Sequence, residues 1–274
     1  MKIRAVCTDI DGTLLDSRRE LSARTIAIIQ KVSKMVPVIL ASSRMPAAMR
    51  HLQAALGIES HPMICFNGGY ILSYDAHTVA PVILESVKLP VSIGRTIAEL
   101  SAGKTIHTSV FVEDEWYAAM NDQWTERETT ITKVSPRVMD IGDIMDKVSS
   151  TTSGIHKVMC MGPEPEIETL YNALHTMFFD EIHVYRSKST YLEIAPKLIS
   201  KATALSLVMS KLFDSDPSQV IAFGDNYNDV EMIRSAGIGI AVGNAIPEVK
   251  AVAHEVTLNS KEDGVAVSLE KYFL

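Results

Sequence analysis

The sequence contains few cysteines and no long apolar segment. Among 274 residues only Cys7, Cys65 and Cys160 are cysteines, all within apolar runs, and no CxxC pair occurs. Zinc sites and disulfide frameworks need clustered or paired cysteines, so neither is indicated, and we expect three buried thiols in a reduced compartment. No apolar stretch approaches the roughly 20 residues that span a bilayer, and no signal-peptide pattern is present. We therefore expect a cytoplasmic protein with no membrane partner.

A run of basic residues is also missing. Lys and Arg number 26 against 33 Asp and Glu, and the formal net charge is −7. Because nucleic acids and anionic membranes are bound through clustered cations, neither is an expected partner. A small anion would need local cations or a metal ion. The 47% of hydrophobic residues suffices for one large core or two moderate ones, and nothing indicates an oligomeric state.

Strand and helix patterns alternate at both ends of the sequence. Short apolar runs at residues 3–7, 37–41 and 63–66 predict strands, with helical spacing between them. The same rhythm resumes after residue 201, with predicted strands at 219–223 and 238–242. Such alternation predicts a parallel sheet with helices on its faces. The further predicted helices are residues 201–212, 229–235, 245–253 and 264–273.

The middle of the sequence differs from both ends in composition and in predicted secondary structure. It holds both tryptophans, most Ser/Thr-rich stretches, β-rich runs such as 105–112, and helical patterns at 91–102 and 164–178. We predict an α/β fold, a Rossmann-like parallel sheet with helices on both faces, formed by residues 1–82 and 190–274. An α+β domain, residues 83–189, is inserted into it.

Two carboxylates stand two positions apart at the end of the first predicted strand. Asp9 and Asp11 point the same way on an extended segment and would enter one crevice at the carboxyl edge of the sheet. A divalent cation, or a proton shared with a substrate oxygen, would relieve their repulsion. The alternative is a turn, in which Asp and Gly are common.

Two further signals each allow an ordinary structural interpretation. Ser42-Ser43-Arg44 follows a predicted strand, where a hydroxyl and backbone N–H groups can hold phosphate oxygens, although such a pair is also common in loops and N-caps. Lys201 stands at the start of a helix, where the helix dipole disfavours a cation. An internal anion would explain it, and a solvated surface lysine is the alternative.

The segment after the strand at 219–223 carries oxygen ligands. Asp225, Asn228 and Asp229 share one strand-to-helix turn, and such hard ligands suit Mg²⁺. Asp229 is equally consistent with an N-cap.

These pieces resemble haloacid-dehalogenase-superfamily phosphatases. Their opening motif is similar to Asp9-Ile10-Asp11-Gly12-Thr13-Leu14-Leu15, while Ser42, Lys201 and Gly224-Asp225 through Asn228-Asp229 match the second, third and fourth motifs. Three further segments resemble the Cof-type subfamily: Ala41-Ser42-Ser43-Arg44, Phe66-Asn67-Gly68-Gly69 and Glu262-Asp263-Gly264-Val265-Ala266. That subfamily carries a type IIB-like cap inserted between the second and third motifs.

Two departures from that pattern stand out. The usual Ala-Thr-Gly-Arg is Ala-Ser-Ser-Arg here, and Ser43 is less permissive than Gly. The glycines that often flank the third-motif lysine are replaced by Ser200 and Ala202.

The resemblance implies a Mg²⁺-dependent phosphatase that hydrolyses small phosphorylated metabolites, most often sugar phosphates. It implies that Asp9 attacks phosphorus to form an aspartyl-phosphate and that Asp11 acts as general acid and then base. Mg²⁺ would be held by Asp9, the Asp11 backbone carbonyl and Asp225, with Asp229 in the metal shell.

Other residues would bind substrate. Ser42, Lys201 and Asn228 would contact the phosphoryl group, with Ser43, Arg44, Asn67 and Gly68 near it. A salt bridge for Arg44, and a plain hairpin turn at Asn67 and Gly68, are open alternatives. A phosphotransferase or phosphomutase, or a non-catalytic phosphometabolite-binding protein, are the alternative functions.

Overall fold

The computed structural model describes residues 2–74, 80–152 and 154–274. Its strands are β1 (Ala5–Thr8), β2 (Val38–Ala41), β3 (Met63–Cys65), β4 (Tyr70–Ser73), β5 (Val82–Ser86), β6 (His107–Val112), β7 (Glu115–Ala118), β8 (Arg137–Val138), β9 (Lys157–Met161), β10 (Ile182–Lys188), β11 (Tyr191–Pro196), β12 (Val220–Gly224), β13 (Ile238–Ala241) and β14 (Glu255–Val256). Its α-helices are α1 (Ala23–Val32), α2 (Ala47–Leu56), α3 (Val91–Ser101), α4 (Gln123–Thr132), α5 (Ile141–Thr151), α6 (Glu164–Phe178), α7 (Lys201–Phe213), α8 (Val230–Ser235), α9 (Pro247–Val252) and α10 (Gly264–Phe273).

The chain forms two compact units. The core unit comprises Met1–Arg44, Met49–Glu85 and Ser200–Leu274, and the cap unit comprises Met45–Ala48 and Ser86–Ile199.

The core unit is built on an eight-stranded sheet in the order β14-β13-β12-β1-β2-β3-β4-β5. The pairings from β14 to β3 are parallel, and β3 pairs with β4 antiparallel. Strands β1, β2 and β12 are wholly buried, as expected for parallel strands covered on both faces. Since β1 lies between β12 and β2, the residues that follow Thr8, Ala41 and Gly224 come together at one edge. The predicted α/β fold class is confirmed.

Helix ends in the core unit follow local capping chemistry. Ser22 is the N-cap of α1, and its side chain accepts a hydrogen bond from Thr25 N. Ser200 forms a capping box with Thr203 at the start of α7. The predicted helix at 229–235 instead begins at Val230, because Tyr227–Asp229 forms a 3-10 turn.

The cap unit is α+β. Its six-stranded sheet runs β10-β11-β9-β6-β7-β8 and is antiparallel except for the β7–β8 pair. Residues of α3, α5 and α6 pack with alternate strand residues in one hydrophobic cluster; they include Ile93, Ile97, Ile144, Val148, Ile167, Leu170, Val110, Val158, Cys160 and Leu192.

The three cysteines are buried, as expected. Burial raises the pKa of the Cys7 and Cys160 thiols to about 12. Within the described part of the chain, no helix combines the length and apolar content needed to cross a bilayer.

Candidate active site

Lys201 is buried in the core unit between two carboxylates. Its Nζ donates to Asp9 Oδ1 at 2.5 Å and to Asp229 Oδ1 at 2.6 Å, and the side chain has no exposed surface. Burial disfavours the ammonium, but the charges of Asp229 and Asp9 outweigh it and raise the pKa of Lys201. The interpretation as a solvated surface lysine is therefore wrong, and the altered residues around it have not moved it out of the cluster.

Asp229 pairs with Lys201 and holds the turn before it, but its side chain makes no capping hydrogen bond to α8, so the N-cap interpretation is wrong. Its Oδ1 accepts from Lys201, while its Oδ2 accepts the backbone N–H groups of Asp225 at 2.9 Å and Asn226 at 3.1 Å. The carboxylate thereby closes its own turn and pairs the lysine. A Cβ on Gly224 would lie 2.4 Å from the Asp229 Cβ, so only glycine fits the end of β12.

Asp225 is held by the first motif. Its Oδ1 accepts a hydrogen bond from the Thr13 hydroxyl at 3.0 Å. Gly12 has φ +86°, and a Cβ there would lie 2.4 Å from Asp225 Oδ2. Burial, reinforced by the charge of Asp229, raises the pKa of Asp225 to about 6. The carboxylate is therefore in surroundings that favour an added positive charge.

The carboxylate cluster fits a divalent cation. Asp9, Asp225 and Asp229 each place one oxygen within 4.8 Å of the others. Asp9 Oδ2 is buried and has no hydrogen-bond partner among the described residues, and burial raises the pKa of Asp9 well above its usual range. Among the described residues, Lys201 is the one cation paired with these carboxylates, so the cluster would carry excess negative charge when its carboxylates are ionised. Oxygen-only ligands with excess negative charge suit Mg²⁺.

Asp11 is turned toward two arginines. Its carboxylate accepts from Arg44 Nε at 2.7 Å, Arg44 Nη2 at 2.8 Å and Arg19 Nη1 at 3.1 Å. Burial acts to raise the pKa of Asp11, but the hydrogen bonds and charge of Arg44, with the charge of Arg19, lower it. The alternative of a salt bridge for Arg44 describes its contact in this structure. Its part in substrate binding stays a prediction, as does the part of the Asp11 carbonyl in metal binding.

A hydrogen bond to the Ser42 hydroxyl closes the loop after β2. Ser42 is buried, and its Oγ accepts the backbone N–H of Arg44 at 3.2 Å; Ser43 is half-buried. On the neighbouring turn, Asn67 Oδ1 accepts from Asn228 Nδ2 at 2.9 Å. Direct hydrogen bonds thus join the predicted site residues in two groups: Asp9, Lys201, Asp229 and Asp225 in one, and Asp11, Arg44, Ser42, Asn67 and Asn228 in the other.

Residues that the sequence interpretation did not single out brace these loops. Asn244 Nδ2 donates to the Gly12 carbonyl at 2.7 Å, and its Oδ1 accepts from Ser260 N at 2.9 Å. Ile246 N donates to the Asp225 carbonyl at 2.9 Å. The signal available was position, because Asn244 follows strand β13 at the same edge of the sheet as Asp225 follows β12.

Comparison with known proteins agrees with this geometry. A family model described as haloacid dehalogenase-like hydrolase matches residues 6–269. The chain belongs to the haloacid dehalogenase-like hydrolases. A member from Bacteroides thetaiotaomicron has a crystal structure with TM-score 0.89 and 27% identity, covering 99% of this chain and 100% of that one. The resemblance inferred from the four motifs is confirmed.

Two relatives among the haloacid dehalogenase-like hydrolases carry phosphatase names. Pyridoxal phosphate phosphatase of Escherichia coli is 26% identical, with 97% of each chain covered. The 5-amino-6-(5-phospho-D-ribitylamino)uracil phosphatase of Bacillus subtilis is 25% identical, covering 98% of this chain and 97% of its own. The prediction of an enzyme that hydrolyses phosphate monoesters is confirmed at the level of the family.

Proposed function

We propose that this chain is a Mg²⁺-dependent phosphatase that hydrolyses small phosphorylated metabolites through an aspartyl-phosphate on Asp9. The observation that supports it best is the asymmetry of the Asp9 carboxylate. Lys201 holds Oδ1 at 2.5 Å, while the buried Oδ2 has no hydrogen-bond partner among the described residues. One oxygen is fixed and the other is left for a cation or an incoming phosphorus atom.

In the first step an Asp9 oxygen forms a bond to phosphorus, and the bond from phosphorus to the leaving oxygen breaks. Asp11 gives a proton to that oxygen, then takes one from the water that hydrolyses the acyl phosphate. The Arg44 pair favours ionised Asp11, which is the form needed for the second step. We infer that the negative charge of the incoming phosphate raises the pKa of Asp11, so that it can carry a proton in the first step while Arg44 still orients its carboxyl group.

The remaining residues balance charge and orient the phosphoryl group. Lys201, Ser42 and Asn228 would hold its oxygens, and Lys201 keeps Asp9 in place. When bound by Asp9, the Asp11 carbonyl and Asp225, Mg²⁺ would supply positive charge against the phosphate. Asp229 would act mainly by anchoring Lys201, since N–H donors engage both of its oxygens.

The division of labour between domains is part of the proposal. Residues 1–82 and 190–274 would carry the chemistry, and residues 83–189 would supply specificity for the leaving group. Sugar phosphates are the expected substrates. Pyridoxal phosphate belongs in any screen because a relative is named for it.

The test is phosphate release from a panel of monoesters, with Mg²⁺ and with excess chelator. Wild type should turn over only with Mg²⁺. Asp9→Asn should fold normally yet release no phosphate, while the matched control Asp180→Asn, at an exposed position of the cap unit, should behave as wild type. Hydroxylamine, which attacks acyl phosphates, should trap the intermediate on Asp9.

Two outcomes would contradict the proposal. Full activity in excess chelator would show that no metal ion is required. An active Asp9→Asn enzyme would show that Asp9 is not the nucleophile. Product analysis with an added sugar acceptor separates hydrolysis from transfer, because a transferase or mutase would pass the phosphoryl group to the sugar.

A further inference from the structure

Three consecutive residues between β3 and β4 adopt positive φ angles. They are Phe66 at +50°, Asn67 at +56° and Gly68 at +108°. A bulky residue such as phenylalanine rarely occupies this region, and strained backbone persists where surrounding contacts enforce it, most often at functional sites. The contacts of this segment, called here the 66–68 turn, therefore indicate what it is for.

The backbone of the 66–68 turn is fixed to the loop after β2. Phe66 N donates to the Arg44 carbonyl at 3.0 Å, and Asn67 N donates to the Ser42 carbonyl at 2.8 Å. The turn is thus hydrogen-bonded to both Ser42 and Arg44, the two residues whose own contact closes that loop.

Gly68 ties the same turn to the helix of Lys201. A Cβ at Gly68 would lie 2.6 Å from the carbonyl oxygen of Ser200, the N-cap of α7. The backbone of the turn therefore runs directly against the first turn of α7, and only glycine allows that approach.

The side chain of Asn67 connects the turn to the fourth motif. Asn67 is buried, and its Oδ1 accepts from Asn228 Nδ2 at 2.9 Å, across 161 positions of sequence. A plain hairpin has no need of such a bond. Because Asn67 accepts through its oxygen, Asn228 must present its amide nitrogen there, and this sets which way round the Asn228 amide lies.

We propose that Asn67 is a positioning residue that acts through Asn228, rather than a contact of the substrate. It holds the Asn228 amide in the one orientation that lets it meet the phosphoryl group, while the strained turn holds Asn67. The inference rests on the proposed function in one respect, the phosphate contact assigned to Asn228.

The test is a double-mutant cycle with Asn67→Gly, Asn228→Ala and the double variant. Glycine accepts the left-handed backbone and removes the whole Asn67 side chain, so the turn can keep its conformation while the hydrogen bond to Asn228 is lost. Asn67→Asp is the conservative variant, because a carboxylate oxygen can still accept from Asn228. Asn121→Gly, at an exposed position of the cap unit, is the matched control.

Each variant is measured for kcat and KM with p-nitrophenyl phosphate, for thermal midpoint, and for affinity toward inorganic phosphate by calorimetry. Asn67→Gly should lower kcat/KM about 10-fold, the scale at which orienting partners act. The double variant should match Asn228→Ala within about 2-fold, since residues that act through one another are not additive. Asn67→Asp should recover most of the loss, and thermal midpoints should not track activity.

Multiplying effects in the double variant would overturn the proposal, because they would mean that Asn67 acts on the substrate independently. A loss of less than about 2-fold for Asn67→Gly would overturn it as well. If wild type releases no phosphate, the proposed function fails, yet the same cycle read in inorganic phosphate affinity still decides the coupling. Equal affinities for all variants there would also count against it.

Discussion

Arg44 donates a hydrogen bond to each carboxylate oxygen of Asp11, from Nε to Oδ2 at 2.7 Å and from Nη2 to Oδ1 at 2.8 Å. The Arg44 side chain is only 6% exposed, whereas Arg19, the second partner of Asp11, is 46% exposed. A bidentate pair with a buried arginine fixes the plane of the carboxylate, which a single exposed contact cannot do. Asp11 therefore owes its orientation to a residue 33 positions away in the sequence.

Replacing Arg44 with lysine should impair turnover. The ammonium keeps the charge but loses the planar fork, so Asp11 is free to rotate. Hydrogen bonds to charged groups of this kind contribute about 1.5–3 kcal/mol, and kcat with an alkyl phosphate should fall accordingly. Arg19→Ala should cost less, because its contact is single and exposed. An Arg44→Lys enzyme with wild-type kcat would mean that turnover does not need the bidentate pair between Arg44 and Asp11.

Asp11→Asn should depend on the leaving group. The amide cannot donate a carboxylic proton, so the loss should be severe for alkyl phosphates and milder for aryl phosphates, whose leaving oxygens need less acid assistance. Rates for a matched series of leaving groups measure this. Equal losses across the series would show that another step limits turnover or that the acid is a different residue.

Lys201→Ala should cost about 2–4 kcal/mol in transition-state stabilisation, as when a preorganised donor to a developing anion is lost. Lys201→Arg should not rescue it, because the planar fork does not fit between Asp9 and Asp229. Since both carboxylates would be left buried without their cation, circular dichroism must confirm the fold. Lys211→Ala, on the exposed side of the same helix, is the control, and normal turnover of Lys201→Ala would contradict the assignment.

Mg²⁺ should stabilise the protein in the absence of any substrate. Binding to the folded state alone raises the melting temperature, and Asp225→Asn should abolish that rise because it removes one charge of the cluster. Calcium should inhibit turnover, since its looser coordination shell misplaces nucleophile and phosphate. If the melting temperature of the wild type does not change when Mg²⁺ is added, that result would argue against the metal site.

Stability of the cap unit should fall as pH drops below about 6.5. Burial, with the charge of Lys88, lowers the pKa of His156 from 6.5 to about 3, and its Nδ1 accepts the Glu113 N–H at 2.9 Å. Between those values the unfolded chain binds a proton that the folded chain excludes, so stability is fully present above pH 6.5. It is lost on acidification, at up to about 1.4 kcal/mol per pH unit.

The measurement is urea unfolding followed by tryptophan fluorescence, which reports the cap unit because both tryptophans, Trp116 and Trp124, lie there. His156→Asn retains an acceptor but does not titrate, so its slope between pH 6.5 and 4 should be shallower. Burial also lowers the pKa of His107, so the slope should shrink rather than vanish. His175→Asn, at an exposed position of α6, should keep the wild-type slope, and an unchanged slope in His156→Asn would refute the linkage.

The sequence predicted the features that local rules govern. Apolar runs and capping residues located the strands and helices, and α6 and α10 begin and end at their predicted residues. The rule that parallel strands share a carboxyl edge was enough to group Asp9, Ser42 and Asp225. The bounds of the inserted domain stay a prediction.

The side-chain pairings were not accessible from the sequence. Whether Arg44 meets Asp11, and whether Asn67 meets Asn228, depends on rotamers and loop paths that no local pattern encodes. Asn244 carried no periodic or motif signal beyond its place after a strand. The sequence left Asp229 open between an N-cap and a site residue. The structure shows its Oδ1 paired with Lys201 and its Oδ2 bound to the N–H groups of Asp225 and Asn226, with no side-chain cap on α8.

Burial of the three cysteines has a practical consequence for labelling. Maleimide reagents need an accessible thiolate, and burial both hides these thiols and raises the pKa of Cys7 and Cys160 to about 12. The natural chain should therefore serve as its own unreactive background for dye attachment. One cysteine at Lys34 in the core unit and one at Asn172 in the cap unit, both at exposed positions, would each carry a dye. Each dye would then report on its own unit during turnover, with every native thiol left in place.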